Sequence, residues 1–417
     1  MTERKTAIVL GGIEPHRKLM EVLKARGFYT VLIDYYENPP AKDAADLHLQ
    51  ESTLDKDKVL EIARDMEAQL IIGACVDQAN AVACYVAEEL GLTKPYSYST
   101  AMEVTNKDLM KSKMIANGIP TSKHVIRDAA VNLDRLDLKY PIVVKPVDNN
   151  GSKGVKKLES PEKLKEYVEY ALSMSRAGRA VIEEFVEGDE IQIDCFAGYD
   201  DADVIMIRKK LKIEPEEGMA MQAFGSLIPA GITPGAEAKI REIATNIKKG
   251  FRLNNTPFFM QTIVKGDDVS VIEFAPRIGG SLSSYLIETI TGFDMISASV
   301  SSYLEEPVKV EFHAPDHFVT TNIMYAYKGV LDHVEGQDEL LADGVIEKFM
   351  YSKTKGMEID SDNQMDSRNR VASYVIRGGS IDELLEKVER ANSTLKIVDD
   401  KGKDIMRKNA FLTREMI

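Results

Sequence analysis

Short β-rich runs alternate with amphipathic helical patterns over the first hundred residues of this chain. The β-rich runs are Ala7–Leu10, Thr30–Ile33 and Leu70–Ala74. A helical pattern follows each run, and the three patterns cover roughly 15–26, 55–67 and 77–90. Alternation at this spacing predicts a doubly wound parallel sheet with helices packed on its faces. We therefore predict an N-terminal α/β domain over residues 1–98.

Downstream of that domain, the pattern predicts helices mixed with antiparallel strands. A single helical pattern covers 99–117, and residues 122–187 carry strand, strand, helix and strand in that order. From 188 to 312 the strands favour antiparallel pairing around a helix at 234–249. A turn signal at Lys265–Asp268 predicts a hairpin within that part. We predict one α+β unit over 99–312, divided into subdomains at residue 188.

The remaining residues, 313–417, are predicted to form a third region. Strands are expected near 318–325 and 370–376, and a helix is expected at 381–392. We predict that this mixed α+β segment packs on the preceding unit as a lid-like layer. The predicted fold class is therefore α/β followed by α+β.

The charge and cysteine content restrict the classes of partner. The chain has 53 Lys and Arg against 67 Asp and Glu, a formal net charge of -14. Such a surface repels nucleic-acid phosphates and anionic lipid, so we predict neither as a partner. The three cysteines are widely spaced without a C-x-x-C pair, and every apolar run is shorter than a membrane span. These features predict a cytoplasmic protein that acts on small molecules.

Lys145 and the loop after it are the first candidate site. The apolar run 140–146 ends near Lys145, and a buried ammonium there needs an anionic partner. The loop that follows contains Asn150, Gly151 and Ser152. Small residues let backbone N–H groups approach and surround phosphate oxygens. A plain β-hairpin turn explains the loop about as well.

Lys107 is the second candidate, because it stands near the start of a helix that runs to Gly118. A cation at a helix N-terminus opposes the helix macrodipole. A bound polyphosphate would remove that conflict. When the segment is considered alone, a solvated lysine is the simpler explanation.

An acidic segment after an apolar strand is the third candidate. Glu183 and Glu184 end the strand, Phe185 and Val186 form a short apolar hinge, and Glu190 follows a glycine turn. Carboxylates placed in this way can bind the amino group or ribose hydroxyls of a nucleoside, and hinge backbone groups can pair with its base. A solvent-facing acidic turn is the alternative.

The predicted hairpin carries the fourth candidate. Its tight turn can bring Gln261 and Glu273 side by side on adjacent strands. Oxygen donors in this arrangement suit Mg²⁺, which takes one or two protein ligands together with phosphate oxygens and water. Arg277 follows four residues later, and its forked cation can reach a phosphoryl group. An ordinary hairpin followed by a helix explains Glu273 and Arg277 poorly.

Taken in order, these four segments resemble the ATP-grasp superfamily over roughly residues 1–300. The resemblance implies that the phosphates of ATP contact Lys107 and Lys145, and that the loop Asn150-Gly151-Ser152 closes over them. It implies in the same way that the adenosine moiety is held by Glu183, Glu184, Phe185, Val186 and Glu190. The implied fold is an ATP-grasp fold behind the N-terminal α/β domain.

The resemblance also implies the metal site and the chemistry. Gln261 and Glu273 would bind Mg²⁺ or Mn²⁺, and Arg277 would act with Lys107 and Lys145 to steady an acyl phosphate. Glutamine at the first metal position is similar to the large subunit of carbamoyl phosphate synthetase. The superfamily usually has Glu-x-Asn where this chain has Glu273-Phe274-Ala275. The missing amide implies weaker binding of a second Mg²⁺.

The implied activity is an ATP-dependent ligase that activates a carboxylate as an acyl phosphate and joins it to an amine. The C-terminal part resembles the lid-like domains of L-amino acid ligases and purine-pathway ligases, which points to an amino acid or a similar substrate and allows a homodimer. Two alternatives remain open at this point: a carboxylating or carbamoylating ligase that uses bicarbonate, and a nucleotide-binding protein that has lost catalysis.

A basic cluster at Arg208–Lys210 follows the apolar run 203–207. We interpret the cluster as a solvated basic edge, and a contact with a phosphate or carboxylate is the alternative.

Overall fold

The N-terminal residues form a four-stranded sheet in which every strand pair is parallel. This computed structural model describes residues 5–149, 154–213, 222–280, 282–359 and 367–417. The strands lie in the order β3, β2, β1, β4 and alternate with helices. The elements are β1 Lys5–Leu10, α1 Pro15–Ala25, β2 Phe28–Asp34, β3 Leu47–Gln50, α2 Lys56–Asp65, β4 Leu70–Ile72 and α3 Asp77–Leu90. The predicted doubly wound parallel arrangement is confirmed.

The helix predicted over 99–117 is interrupted at Asn106, so its continuity was predicted wrongly, whereas the predicted helix start near Lys107 is confirmed. Two helices form instead, α4 Tyr98–Thr105 and α5 Lys107–Ala116. Asn106 has an extended backbone, and its side-chain oxygen accepts hydrogen bonds from the backbone N–H groups of Asp108 at 3.0 Å and Leu109 at 3.3 Å. This N-cap satisfies donors at the start of α5 and places Lys107 at its first position.

A four-stranded antiparallel sheet follows, in the order β5, β8, β6, β7. One helix packs on it through a small apolar core. The elements are β5 His124–Arg127, β6 Ile142–Pro146, β7 Lys156–Leu158, α6 Leu164–Met174 and β8 Ala180–Glu184. The predicted loop residues Asn150, Gly151 and Ser152 lie outside the described residues.

An eight-stranded antiparallel sheet forms the centre of the molecule, in the order β13, β12, β9, β10, β11, β14, β18, β16. Its first five strands in that order are β13 Asp268–Ala275, β12 Thr256–Lys265, β9 Asp189–Ala197, β10 Ala202–Ile213 and β11 Gln222–Ile228. The helices of this part are α7 Pro234–Phe251, α8 Ser283–Thr291 and α9 Met295–Tyr303.

Strands from the C-terminal region complete the same sheet. They are β14 Phe318–Tyr325, β18 Arg370–Gly378 and β16 Lys348–Tyr351. β14 pairs with β11, and Thr321 lies opposite Ser226 in that pair. Strands on both sides of residue 313 therefore share one hydrogen-bonded sheet, whereas the sequence predicted a segment packed on it. The domain boundaries remain a prediction.

The rest of the C-terminal region covers the far end of the large sheet. Its elements are β15 Gly329–Glu335, α10 Gln337–Ala342, β17 Glu358–Ile359, α11 Ile381–Thr394 and β19 Lys396–Asp399. β15 pairs with both β17 and β19. Apolar residues of these elements form a core with those of β14 and β18.

The N-terminal domain is joined to the large sheet by a continuous apolar core. The buried residues of β1, β2 and β4 cluster with residues of α8 and α9. Helix α1 packs directly on α9. This packing holds the start of α3 beside the loop after β13, where the site is formed. Among the described residues, no helix combines the length and apolar character needed to cross a membrane.

Candidate active site

A row of polar side chains crosses the large sheet at the centre of the site. Gln192 of β9 lies opposite Arg208 of β10 on one side and opposite Gln261 of β12 on the other. Gln261 in turn lies opposite Glu273 of β13. Directly opposed residues of antiparallel strands project from the same face of a sheet. The predicted cross-strand pairing of Gln261 with Glu273 is therefore present in the structure.

A cavity of about 190 Å³ lies between this sheet and the four-stranded antiparallel sheet that contains β6 and β8. It brings together every described residue that was predicted to hold nucleotide or metal, whereas Arg277, predicted to steady the acyl phosphate, does not line it. These residues are Lys107, Lys145, Glu183, Glu184, Phe185, Val186, Glu190, Gln261 and Glu273. Four segments that are distant along the chain therefore converge on one space.

A buried ion cluster forms one wall of this cavity. Lys145 Nζ lies 2.5 Å from Glu183 Oε1, and Lys111 Nζ lies 2.9 Å from Glu183 Oε2. Lys111 also donates hydrogen bonds to the hydroxyls of Thr121 at 2.7 Å and Ser122 at 3.1 Å. Burial alone would raise the pKa of Glu183, but the charges and hydrogen bonds of both lysines lower it well below its usual range. Glu183 is therefore ionised.

Lys111 is a residue of this wall that the sequence interpretation missed. Its side chain is fully buried in α5, one helical turn after Lys107. A spacing of four residues places two side chains on the same helix face. If Lys107 faces the site, the same spacing predicts that Lys111 faces it too, and this was the sequence signal that could have identified Lys111.

The two acidic residues that end β8 differ in what they contact. Both oxygens of Glu183 are engaged by lysines, so the structure places this carboxylate against Lys145 and Lys111. Glu184 accepts a hydrogen bond from the backbone N–H of Lys139 at 3.0 Å. The adenine-binding roles of these residues remain predictions, together with those of Phe185 and Val186 beside them.

Lys107 links the start of α5 to β13. Its Nζ donates a hydrogen bond to the carbonyl oxygen of Asn149 at 2.7 Å and lies 3.2 Å from Glu273 Oε2. Glu190 pairs at 2.6 Å with Lys212, which also lines this cavity. The conflict between Lys107 and the helix macrodipole is thus offset by a carboxylate of the protein itself.

A second cavity of about 290 Å³ adjoins the first. The two share six lining residues, Lys107, Asn149, Glu190, Lys212, Gln261 and Glu273. Arg277 lines the second cavity only. The geometry therefore offers two connected spaces, with Glu273 and Lys107 at their junction.

The predicted solvated basic edge at Arg208–Lys210 is wrong for two of its three residues. Arg208 is buried, donates a hydrogen bond to Ser283 Oγ at 2.5 Å and lies 3.3 Å from Asp194. Lys210 also lines the second cavity. Only Lys209 faces away, where it pairs with Asp189 at 3.1 Å. The alternation of a strand places neighbours on opposite faces, and α8 covers the face that carries Arg208.

Arg277 is held by the N-terminal domain. Its Nε and Nη2 lie 2.6 Å and 2.7 Å from the two carboxylate oxygens of Asp77, at the start of α3. The guanidinium also lies over the ring of Phe259, 4.9 Å from its centroid. Burial alone would lower the pKa of Arg277, but the charge and hydrogen bonds of Asp77 raise it above its ordinary value. A bidentate pair of this kind fixes the orientation of the guanidinium.

We expect Asp77→Asn to reduce kcat of a reaction at this site about 10-fold, because Arg277 loses its fixed orientation while its charge remains. Steady-state kinetics would measure the effect. Asp43→Asn is the matched control, since Asp43 forms a similar two-point pair with Arg17 on an exposed surface. Equal losses in the two variants would contradict a role for Asp77 in the site.

The donor chemistry at the junction of the cavities fits Mg²⁺. Glu273 supplies a carboxylate, and the amide of Gln261 makes no hydrogen bond within the described parts of the chain. Ala275, two residues after Glu273 on the same strand face, lines the second cavity with no donor atom. Among the described residues, no cluster of three His, Cys, Asp or Glu side chains is placed to hold a metal. Mg²⁺ bound here would complete its shell with phosphate oxygens and water.

Comparisons with known proteins agree with this geometry. The sequence profile of the ATP-grasp domain matches residues 138–285. A formate-dependent phosphoribosylglycinamide formyltransferase of Variovorax paradoxus (strain S110) is 25% identical over 285 residues, which cover 65% of this chain and 69% of that protein.

Solved structures share the fold over nearly the whole chain. An L-amino acid ligase from Bacillus licheniformis superposes with a TM-score of 0.77 at 18% identity, covering 96% of this chain and all of that one. The biotin carboxylase domain of a Hydrogenobacter thermophilus 2-oxoglutarate carboxylase, solved with MgADP and bicarbonate, gives 0.75 at 16% identity and covers 98% and 92% of the two chains. The resemblance and the fold class predicted from the sequence are confirmed.

Proposed function

From the ATP-grasp domain at residues 138–285, we propose that this chain is an ADP-forming ligase that activates a carboxylate as an acyl phosphate and joins it to an amine. One observation carries the proposal: Lys107, Lys145, Glu190 and Glu273 line a single cavity, although they come from four separate segments. The matched ATP-grasp domain supports the use of ATP, and relatives named as formate-dependent formyltransferases support a small carboxylate as a substrate.

The proposed reaction has two steps. A carboxylate oxygen attacks the γ-phosphorus of ATP, so that an O–P bond forms and the bond to the β-phosphate oxygen breaks, releasing ADP. The amine nitrogen then attacks the acyl carbon, phosphate leaves, and the nitrogen loses a proton. Neither step needs a nucleophilic side chain, so the protein contributes orientation and charge.

The residues around the two cavities have different proposed roles in this reaction. Lys107 and Lys145 supply positive charge toward the phosphoryl oxygens, where charge develops in the transition state. Arg277 lies in the second cavity and is suited to the acyl phosphate. Glu273 and Gln261 would hold Mg²⁺, which neutralises phosphate charge when it is bound. The two connected spaces allow ATP and the second substrate to occupy the site together.

ADP release is expected only when ATP, Mg²⁺, a carboxylate and an amine are all present. The assay would pair formate, acetate, bicarbonate and amino acids with a panel of amines and follow ADP by a coupled assay and the product by mass. Formate is included because the Variovorax relative is named as formate-dependent. A rate of ADP release that does not depend on the amine would contradict the proposal. A requirement for bicarbonate would favour the carboxylating alternative.

Lys145→Ala is expected to lower kcat about 10²–10³-fold in that assay, because a positive charge aimed at the phosphoryl group is lost. Lys165→Ala is the matched control, since Lys165 lies on α6 of the same region with its side chain exposed. Retention of wild-type turnover by Lys145→Ala would show that the reaction occurs elsewhere.

A further inference from the structure

The second cavity contains more positive charge than its own carboxylates neutralise. Its lining includes six cations, Lys107, Arg208, Lys210, Lys212, Arg277 and Arg370. Four of them have a carboxylate within 4 Å, in the pairs Lys107–Glu273, Arg208–Asp194, Lys212–Glu190 and Arg277–Asp77. Within the described parts of the chain, Lys210 and Arg370 have no such partner. These two cations mark the end of the cavity formed by β10, β11 and β18, which we term the distal end.

The neutral residues at the distal end are also incompletely bonded. Gln222, at the start of β11, is 2% exposed, and among the described residues neither its amide oxygen nor its amide nitrogen has a hydrogen-bond partner. The Nε of Arg208 is likewise buried, with no partner in the described part of the chain. Buried polar atoms without partners destabilise a fold, so they usually pair with a ligand or with water. Gln222 therefore offers one acceptor and two donor hydrogens to this cavity.

We propose, on the basis of the proposed ligase function, that Gln222, Lys210 and Arg370 recognise the second substrate, and that this substrate carries an anionic oxygen group beside an uncharged group that both donates and accepts hydrogen bonds. A carboxamide has the required donor–acceptor pair. The anion is a carboxylate or a phosphate-type group, since both present oxygens to an ammonium and a guanidinium.

The position of Lys210 connects this recognition to the reacting centre. Its Nζ lies 3.4 Å from the amide oxygen of Gln192, and Gln192 lies opposite Gln261 in the sheet. Lys210 itself lies opposite Ser226 of β11, which also lines the cavity. Burial lowers the pKa of Lys210 to about 8, and a bound anion would raise it again. A substrate anchored at the distal end thus extends toward Glu273 and Lys107.

Calorimetric titration with four small anions tests this assignment. Succinamate and carbamoylmethylphosphonate carry an anion and a carboxamide, whereas butyrate and ethylphosphonate lack the carboxamide. Succinamate is compared with butyrate, and carbamoylmethylphosphonate with ethylphosphonate. In one of these pairs we expect the wild-type chain to bind the compound with the carboxamide at least about 10-fold more tightly. The pair that shows this preference identifies the anion as a carboxylate or a phosphonate. The titrations are made without nucleotide, so failure here is distinguishable from failure of ATP turnover.

Three variants complete the test. Gln222→Leu should remove the preference for the carboxamide and leave thermal stability unchanged or higher, because an unpaired amide is removed. Lys210→Met should weaken the binding of every anion that the wild-type chain binds, whereas Lys209→Met, on the opposite face of the sheet, should leave that binding unchanged. Equal affinity for the two compounds in both pairs would overturn the proposal, and so would the absence of binding at 20 mM (about the practical limit for such weak ligands). An unchanged preference for the carboxamide in Gln222→Leu would also overturn it. Equal losses of anion affinity in Lys209→Met and Lys210→Met would have the same consequence.

Discussion

Glu183→Gln is expected to lose about 3–5 kcal/mol of unfolding free energy, the largest loss of stability that we predict for this chain. The change leaves Lys111 and Lys145 as two buried cations without the carboxylate that both contact. Removing one partner of a buried ion cluster leaves charge that neither water nor protein compensates. Chemical denaturation followed by circular dichroism would measure the difference.

Glu184→Gln is the control for that measurement. Glu184 is the next residue of β8, and its side chain is bonded only to the backbone N–H of Lys139 among the described residues. We expect a loss of about 1 kcal/mol or less, the usual value for one partly exposed hydrogen bond. Similar losses in the two variants would contradict the special role of Glu183.

The stability difference between wild type and Glu183→Gln should also depend on pH. The pKa of Glu183 is lowered in the folded state, so the unfolded state binds the proton more readily. The contribution of Glu183 is then fully present above the unfolded pKa of about 4.3 and is lost as the pH falls toward the folded value. The difference should therefore be constant from pH 6 to 8 (about two units above that unfolded pKa) and shrink below pH 4. A difference that grows on acidification would contradict this sign.

Glu273→Ala is expected to reduce kcat about 10²–10³-fold, an effect as large as that expected for Lys145→Ala. The variant removes the only carboxylate of the predicted metal pair and also the partner of Lys107. The Mg²⁺ concentration that gives half-maximal activity should rise, because Gln261 is left as the one remaining side-chain donor. Steady-state kinetics over a series of Mg²⁺ concentrations would separate the loss of kcat from the change in Mg²⁺ dependence.

The matched control for Glu273→Ala is Glu187→Gln. Glu187 is an exposed carboxylate that pairs with Lys265 at 2.9 Å on the rim of the same sheet. We expect its kcat and Mg²⁺ dependence to equal those of the wild type, since exposed pairs contribute little. If Glu273→Ala keeps an unchanged Mg²⁺ dependence while Glu187→Gln alters it, the predicted metal position is wrong.

Local patterns explain why much of the fold and part of the site were predictable. The parallel sheet at the N-terminus follows from the alternation of β-rich runs and helices, which depends on neighbours in the chain. The tight turn at Lys265–Asp268 brings Gln261 close to Glu273, which the sequence predicted. The register of that turn alone would place Gln261 opposite Ile272, and a β-bulge between Gln261 and Thr262 shifts the pair to Glu273. The order and spacing of Lys107, Lys145, Glu190 and Glu273 resemble those of the ATP-grasp superfamily, and that resemblance predicted that they line one cavity.

The sequence by itself thus determined most of the helices and strands, the hairpin turn and the identity of the polar residues that meet. Only the tertiary structure decided that Lys111 contacts Glu183, that Asp77 orients Arg277 across 200 positions of the chain, and that Arg208 is buried while Lys209 is half-buried on the opposite face. The physical reason is that these contacts depend on which layers cover which face of the large sheet. Propensity and periodicity describe a residue among its neighbours in the chain, whereas burial and ion pairing are set by elements that packing brings from far away.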